Sequence, residues 1–233
     1  MNTQQLNKAR ALYYGLFSSL FSFIDNTEKY ENIQNTINLL SQNPLDEYSD
    51  NALKMMKIFL QDKGQEGLQE ENNDVFFSPS TSFIPTTASY YSEDRDDGQK
   101  RVEMTNLVLK SKFRKDNENF KEAEDHVSFI FSFLQTLIEQ DFSENKNDLV
   151  NDVYLKILND VIDLFIGKLY SHESSVFYKE TAILLKVFIE LERAYLNIKT
   201  NNNKVRNEEE TYHRTKKNFK KKDKRNFDKP KSL

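Results

Sequence analysis

The chain has 233 residues, of which 37% are hydrophobic and 30% charged, with a formal net charge of −4. Only 5 Gly and 4 Pro are present, too few for the turns of an all-β protein, so long helices joined by few loops are expected. The absence of Cys excludes disulfides, thiolate metal sites and a Cys nucleophile, and is compatible with a cytoplasmic setting. The charge is unevenly spread. Residues 201–233 carry 12 Lys/Arg against 5 Asp/Glu, which leaves 21 against 32 in residues 1–200. An acidic body suits a basic partner and argues against nucleic-acid binding by the folded part.

A first helix is predicted over about Thr3–Ile24, with Leu12, Leu16, Leu20 and Phe23 at helical spacing and Tyr13, Phe17 and Phe21 widening the face. Its apolar part follows Lys8 and Arg10, as a secretory leader would. Ser18, Ser19 and Ser22 interrupt it, no small-x-small cleavage site follows, and it is too short to cross a bilayer. It therefore reads as a buried helix, and no stable membrane insertion is expected. A second helix over about Glu28–Ser41 carries Ile33, Ile37 and Leu40, and a third over about Tyr48–Gln61 carries Leu53, Met56 and Leu60. Asp62–Asp74 is polar and acidic with two Gly, and reads as a surface loop or mobile linker. Val75–Tyr91 is apolar but rich in Pro, Ser and Thr, and is expected to lie irregularly across the helices. Ser92–Asp97 adds four acids, and Gly98 permits a turn.

Four further helices are expected at about Gln99–Ser111, Asn119–Gln140, Asp148–Tyr170 and Ser175–Thr200. The last two have clear stripes, Val153, Ile157, Val161, Leu164 and Ile183, Val187, Leu191, Tyr195. The expected fold is all-α, a single bundle of about seven helices with an irregular central segment, over residues 1–200. Residues 201–233 read as a basic, disordered tail.

The most informative stretch is Glu122-Ala123-Glu124-Asp125-His126, set against Val127–Leu134, which is strongly apolar. On a helix, Glu122 and His126 would share a face. Three readings follow. The acids favour the positive end of a helix while His126 makes a local hydrogen bond. Alternatively, the Glu/His pair is half of a metal site, although His172 and His213 have no matching acidic partners. Alternatively, the carboxylates grip a cationic ligand, as they do arginine. No Gly-rich phosphate loop or nucleophile elbow is present, so no catalytic residue, no metal and no cofactor is assigned, and an enzyme is not expected.

The pentad resembles the E-P-x-D-H motif of the TorD/DmsD family of redox-enzyme maturation chaperones, with Ala123 where the family usually has Pro. Ala11–Phe21 is similar to that family's opening helix, Thr87–Tyr91 to its central S-x-Y segment, and Phe165–Leu191 to its closing helix pair. The resemblance covers about residues 6–199. It implies a cytoplasmic chaperone that binds the twin-arginine leader and the apo catalytic subunit of a molybdenum- or tungsten-cofactor oxidoreductase, possessing no activity of its own. By the same resemblance Asp125 and His126 belong to the peptide pocket, with Ser89 and Tyr90 nearby. Glu122, Glu93 or Asp94 would assist with arginines, and Tyr90, Tyr91, Phe76 and Phe77 would line an apolar groove, although core packing is the favoured reading for each of the two Phe. The competing class is a helical adaptor that binds another protein through the same groove. Monomer and dimer are both compatible with the sequence.

Overall fold

The computed structural model describes residues 3–118, 120–140 and 148–200. Those residues form nine α-helices and no sheet. They are α1 (Thr3–Leu20), α2 (Thr27–Leu40), α3 (Glu47–Phe76), α4 (Ala88–Glu93), α5 (Gln99–Lys110), α6 (Val127–Gln140), α7 (Asp148–Lys156), α8 (Ile162–Ser171) and α9 (Phe177–Leu196). The expectation of an all-helical bundle is met. The helical unit spans Met1–Lys199, and the expectations placed on 201–233 fall outside the described residues. Among the described residues no helix is long and apolar enough to cross a membrane.

α1 packs along α6, and α3 and α8 both pack on α9. Aromatic rings fill the centre. Tyr14 and Phe17 of α1 meet Phe131 of α6 at 5.8 and 5.7 Å and Phe188 of α9 at 4.9 and 5.7 Å, while Phe21 meets Phe165 of α8 edge-on at 5.0 Å. α1 is shorter than expected, ending at Leu20, and its buried face is centred on Tyr13, Tyr14, Leu16, Phe17 and Leu20. Leu12 and Phe23, assigned above to the core stripe, are exposed. Leu16 and Leu20 of the expected stripe and the flanking Tyr13, Phe17 and Phe21 are buried, so the stripe fails only at its two ends.

The largest correction concerns Asp62–Asp74, which is not a loop. α3 runs on to Phe76, kinked at Gly64, where φ is +63° and a side chain would be strained. Leu68, Glu71, Asn72, Val75 and Phe76 are all buried and recur at helical spacing. The two polar members of that stripe have backbone partners far away in sequence. Both carboxylate oxygens of Glu71 accept from the first N–H groups of α9: Val176 at 2.7 Å, Phe177 at 3.0 Å and Tyr178 at 2.8 Å. α9 has no side-chain cap of its own, so α3 supplies it. Asn72 Nδ2 donates to the Tyr178 hydroxyl at 2.7 Å and to the carbonyls of Leu20 and Ser22, and Tyr178 donates to Leu20 O at 2.7 Å. The last carbonyl of α1, Leu20 O, is thus satisfied from α3 and α9.

Two other helices break where the sequence suggested continuity. Expected Asp148–Tyr170 splits into α7 and α8 around a 3₁₀ turn at Leu158–Asp160. Asn159 in that turn accepts from Arg193 Nε at 2.9 Å and donates to Lys199 O at 3.0 Å, while Lys100 Nζ binds Lys156 O and Asp160. Of these bonds, that from Lys100 to Lys156 O satisfies a backbone carbonyl at the break. α6 starts at Val127 and not near residue 119, so the acid–His pentad precedes the helix. The same-face argument for Glu122 and His126 does not apply.

The ends of the chain's helical unit meet at a buried ion pair. Arg10 of α1 holds Glu192 of α9 bidentately at 2.6 and 2.8 Å, Tyr14 donates to the same carboxylate at 2.7 Å, and Tyr195 stacks on the guanidinium at 4.3 Å.

Glu71→Ala leaves three N–H groups of α9 without acceptors, two of them on fully buried residues. Urea unfolding should show a loss of ~2 kcal/mol or more, with Glu71→Gln losing less because one acceptor remains.

Candidate functional site

The segment between α3 and α5 lies across the bundle, as expected, with α4 as its only helical part. It is tied at three points. Ile84 N–H donates to Val75 O at 2.8 Å, Ala88 N–H to Asp125 O at 2.8 Å, and Val127 N–H to Thr86 O at 2.8 Å. The last two frame an antiparallel bridge between Thr87 and His126. The pentad therefore ends in a turn, closed by His126 N–H donating to Ala123 O at 3.1 Å, and the central segment is pinned against its last two residues.

Asp125 is fully buried, and its Oδ2 accepts the Ser89 N–H at 2.9 Å. Thr87, the residue preceding α4, makes no side-chain cap, so the carbonyl and carboxylate of Asp125 together cap this helix. Asp125 thus repeats the role of Glu71 at a second helix. Burial raises the pKa of both carboxyls, and the backbone bonds they accept oppose that rise only in part. The other oxygen of Asp125, Oδ1, is buried without a hydrogen-bond partner.

His126 is buried, and its Nδ1 lies 2.7 Å from Ser128 Oγ and accepts the Ser128 N–H at 3.2 Å, capping the start of α6. Nδ1 accepts the Ser128 N–H, which assigns the proton of the neutral ring to Nε2. Glu122 is half-buried and its carbonyl accepts from Lys115 Nζ. Glu124, passed over in the sequence reading, is the acid that pairs: it meets Arg101 Nε at 3.0 Å and Lys115 Nζ at 3.5 Å. Its partners lie 23 and nine positions away in the chain, and spacing alone does not reveal them. Ser89 is fully buried and its Oγ accepts the Arg101 N–H at 3.2 Å. Tyr91 is buried with its hydroxyl donating to Pro85 O at 2.8 Å.

Of the six residues singled out, Tyr90 lines a groove. This groove, of ≈550 Å³, is walled by Thr81, Phe83, Ile84, Pro85, Tyr90 and Asp96 on one side and Lys168, Ser171 and His172 of the α8 end on the other. Asp125, His126, Ser89 and Tyr91 hold that wall from behind. Phe76 is core, stacked on Phe165 and edge-on to Tyr178, whereas Phe77 is exposed and meets Phe23 edge-on at 5.3 Å. Among the surrounding acids, Glu93 pairs with Arg95 and accepts the Gln99 N–H, Asp97 pairs with Arg101, and Asp96 accepts from Thr87 Oγ1 at 2.9 Å. No group of three His, Cys, Asp or Glu that would hold a metal occurs among the described residues.

Burial, and secondarily the Lys115 ammonium, push the His126 pKa from the usual 6.5 down to about 4. The unfolded chain takes up a proton near pH 6.5 that the folded chain refuses until about pH 4. His126 therefore costs nothing above pH 6.5, and stability is lost as pH falls from 6.5 towards 4, on the order of 2 kcal/mol by pH 5. Asp125 and Glu71, with raised pKa, act in the opposite sense. Chemical denaturation from pH 7 to 5 should therefore show a steeper acid loss in the wild type than in His126→Asn; equal slopes would contradict a buried neutral imidazole.

The sequence pattern of the nitrate reductase delta subunit family matches residues 42–171, more than half of the chain. A crystal structure from Archaeoglobus fulgidus, of a protein assigned to redox enzyme maturation, is 23% identical over 78% of this chain and 93% of that one, with a TM-score of 0.49. No curated protein matches the chain. The chain belongs to the nitrate reductase delta subunit family.

Proposed function

We propose that this protein captures the leader segment of a molybdenum- or tungsten-cofactor oxidoreductase subunit in the groove beside α4. The leader is of the twin-arginine type, a cationic start followed by an apolar stretch. Capture holds the apo subunit for cofactor insertion and delays its export. The observation that carries the reading is the groove itself, in which Phe83, Ile84, Pro85 and Tyr90 offer apolar contact and Asp96 a carboxylate. Arginine suits such a site because its planar guanidinium meets a carboxylate with two hydrogen bonds and stacks on an aromatic ring. The acidic balance of residues 1–200 would draw a cationic segment towards it.

In this reading Tyr90 touches the leader, with Asp94 and Asp96 facing its arginines and Glu122 at the margin. Asp125, His126, Ser89 and Tyr91 act by fixing the wall on which Tyr90 stands. The chaperone domain is residues 1–200, and residues 201–233 form a basic appendage. Lys168 lines the same groove and opposes a cation.

Calorimetry with a synthetic leader tests the reading. Replacing its Arg-Arg pair by Ala-Ala should weaken binding about tenfold or more, and Lys168→Glu should tighten binding of the Arg-Arg peptide at low ionic strength. Equal affinity for the two peptides would overturn the reading in favour of a general helical adaptor.

A further inference from the structure

Residues 1–200 are acidic as a whole, but one segment within them is not. Between α5 and the pentad, residues 110–121 carry Lys110, Lys112, Arg114, Lys115 and Lys121 against Asp116 and Glu118. The same segment holds Phe113 and Phe120, both half-buried. With Phe129 and Phe133 of α6 and Val108 of α5, these two rings enclose a pocket of ≈230 Å³, which Arg114, Lys115 and Asp116 also line. The pocket shares no lining residue with the groove beside α4.

The loop that carries the pocket is fixed by its own hydrogen bonds. Ser111 Oγ accepts the Phe113 N–H at 3.0 Å and donates to Val108 O at 2.7 Å, and Phe120 N–H donates to Asp116 O at 2.8 Å. Phe129 meets Phe120 edge-on at 5.2 Å and lies parallel to Phe133, with centroids 6.2 Å apart. Such walls offer both edges and faces to a further ring. At ≈230 Å³ the pocket falls below the ~300–1,000 Å³ of sites that hold a whole small molecule, and suits one ring of a larger partner.

The cations at this pocket divide into engaged and free. Lys115 is engaged: its ammonium binds Glu122 O, lies 3.5 Å from Glu124 and sits 5.8 Å from the Phe129 centroid. Arg114 uses only Nη1, on the carbonyls of Ser111 and Phe113, which leaves Nε and Nη2 for a carboxylate. Lys112 lies 5.7 Å from the Phe113 ring. Neither Lys112 nor Arg114 meets a carboxylate among the described residues, and both are exposed. Asp116, the acid at the pocket, turns Oδ1 to the Glu118 N–H at 3.0 Å.

We propose that this pocket binds an acidic segment of a partner protein. One aromatic side chain enters among the four Phe, and flanking carboxylates meet Arg114 and Lys112. Nucleic acid also combines rings with negative charge. The 32 acids against 21 bases of residues 1–200 oppose a long polyanion, however, and the pocket admits one ring and not a run of stacked bases. The site prefers the opposite charge to the groove beside α4 and does not depend on the leader reading.

Nuclear magnetic resonance titration of the isotope-labelled full chain tests the inference. The probe is a synthetic peptide with one Phe between two Asp-Glu pairs. The amides of Phe113, Arg114 and Ser132 should shift, with a Kd below about 1 mM. Exchanging the peptide's Phe for Ala should weaken binding about tenfold. Lys112→Glu and Arg114→Glu should each weaken it about fivefold at low ionic strength, melt near the wild-type temperature, and bind an Arg-Arg leader no more weakly than the wild type. No shift at ~1 mM peptide, equal affinity for the Phe and Ala peptides, or unchanged affinity in both variants overturns the inference and leaves the leader reading standing. A short oligo-uridine that shifts the same amides and binds more tightly than the peptide overturns it in favour of nucleic acid.

Discussion

Helices α4 and α9 begin without side-chain caps of their own, and a buried carboxylate from elsewhere in the chain completes each. Glu71 does so for α9 and Asp125 for α4. A helix start presents unpaired N–H groups and a positive dipole end, so leaving it buried and uncapped costs several hydrogen bonds. A carboxylate removes that cost only if it too is buried, and its own desolvation then raises its pKa. Each cap is a balance of those two effects, and each fixes a position in the bundle: Glu71 docks α3 on α9, and Asp125 docks the central segment on the start of α6. The wall bearing Tyr90 and Asp96 depends on the second of these.

The rest of the polar interior follows the same economy. Asn72 and Tyr178 close the end of α1, and the Arg10–Glu192 pair, with Tyr14, joins α1 to the far end of α9. Arg193, next in sequence to Glu192, holds Asp163 bidentately at 3.0 and 2.7 Å and fixes the break between α7 and α8 through Asn159. Removing one partner of such a pair strands the other charge, which is more costly than the pair is stabilising. The Arg193–Asp163 bonds tie the start of α8 to α9.

Local signals in the sequence were enough for the helical class and for most helix positions, because scarce Gly and Pro and apolar spacing are local properties. Where a residue's role depended on a distant partner, the sequence misled. Glu71 and Asn72 sat in a polar run and read as solvent-facing, since the groups they bind are about 105 positions away or across the bundle. The pentad read as the first turn of α6, whereas it makes a separate turn over 123–126 whose last residue bridges to Thr87. His126 does make a local bond, to Ser128, but Asp125 serves another helix altogether. In α9 the apolar stripe was visible and its meaning was not, since Leu191 and Tyr195 are exposed: periodicity tells that a face is apolar, and only the packing tells whether anything of the same chain covers it.

Amide hydrogen exchange on the wild type and Asp125→Ala tests most directly whether the distant carboxylate holds the central segment. The account predicts that Ala88, Ser89 and Val127 are protected together in the wild type and lose protection together in the variant, while Tyr178, held by Glu71, stays protected. Free exchange at Ala88 and Ser89 in the wild type, or unchanged protection in the variant, would contradict it.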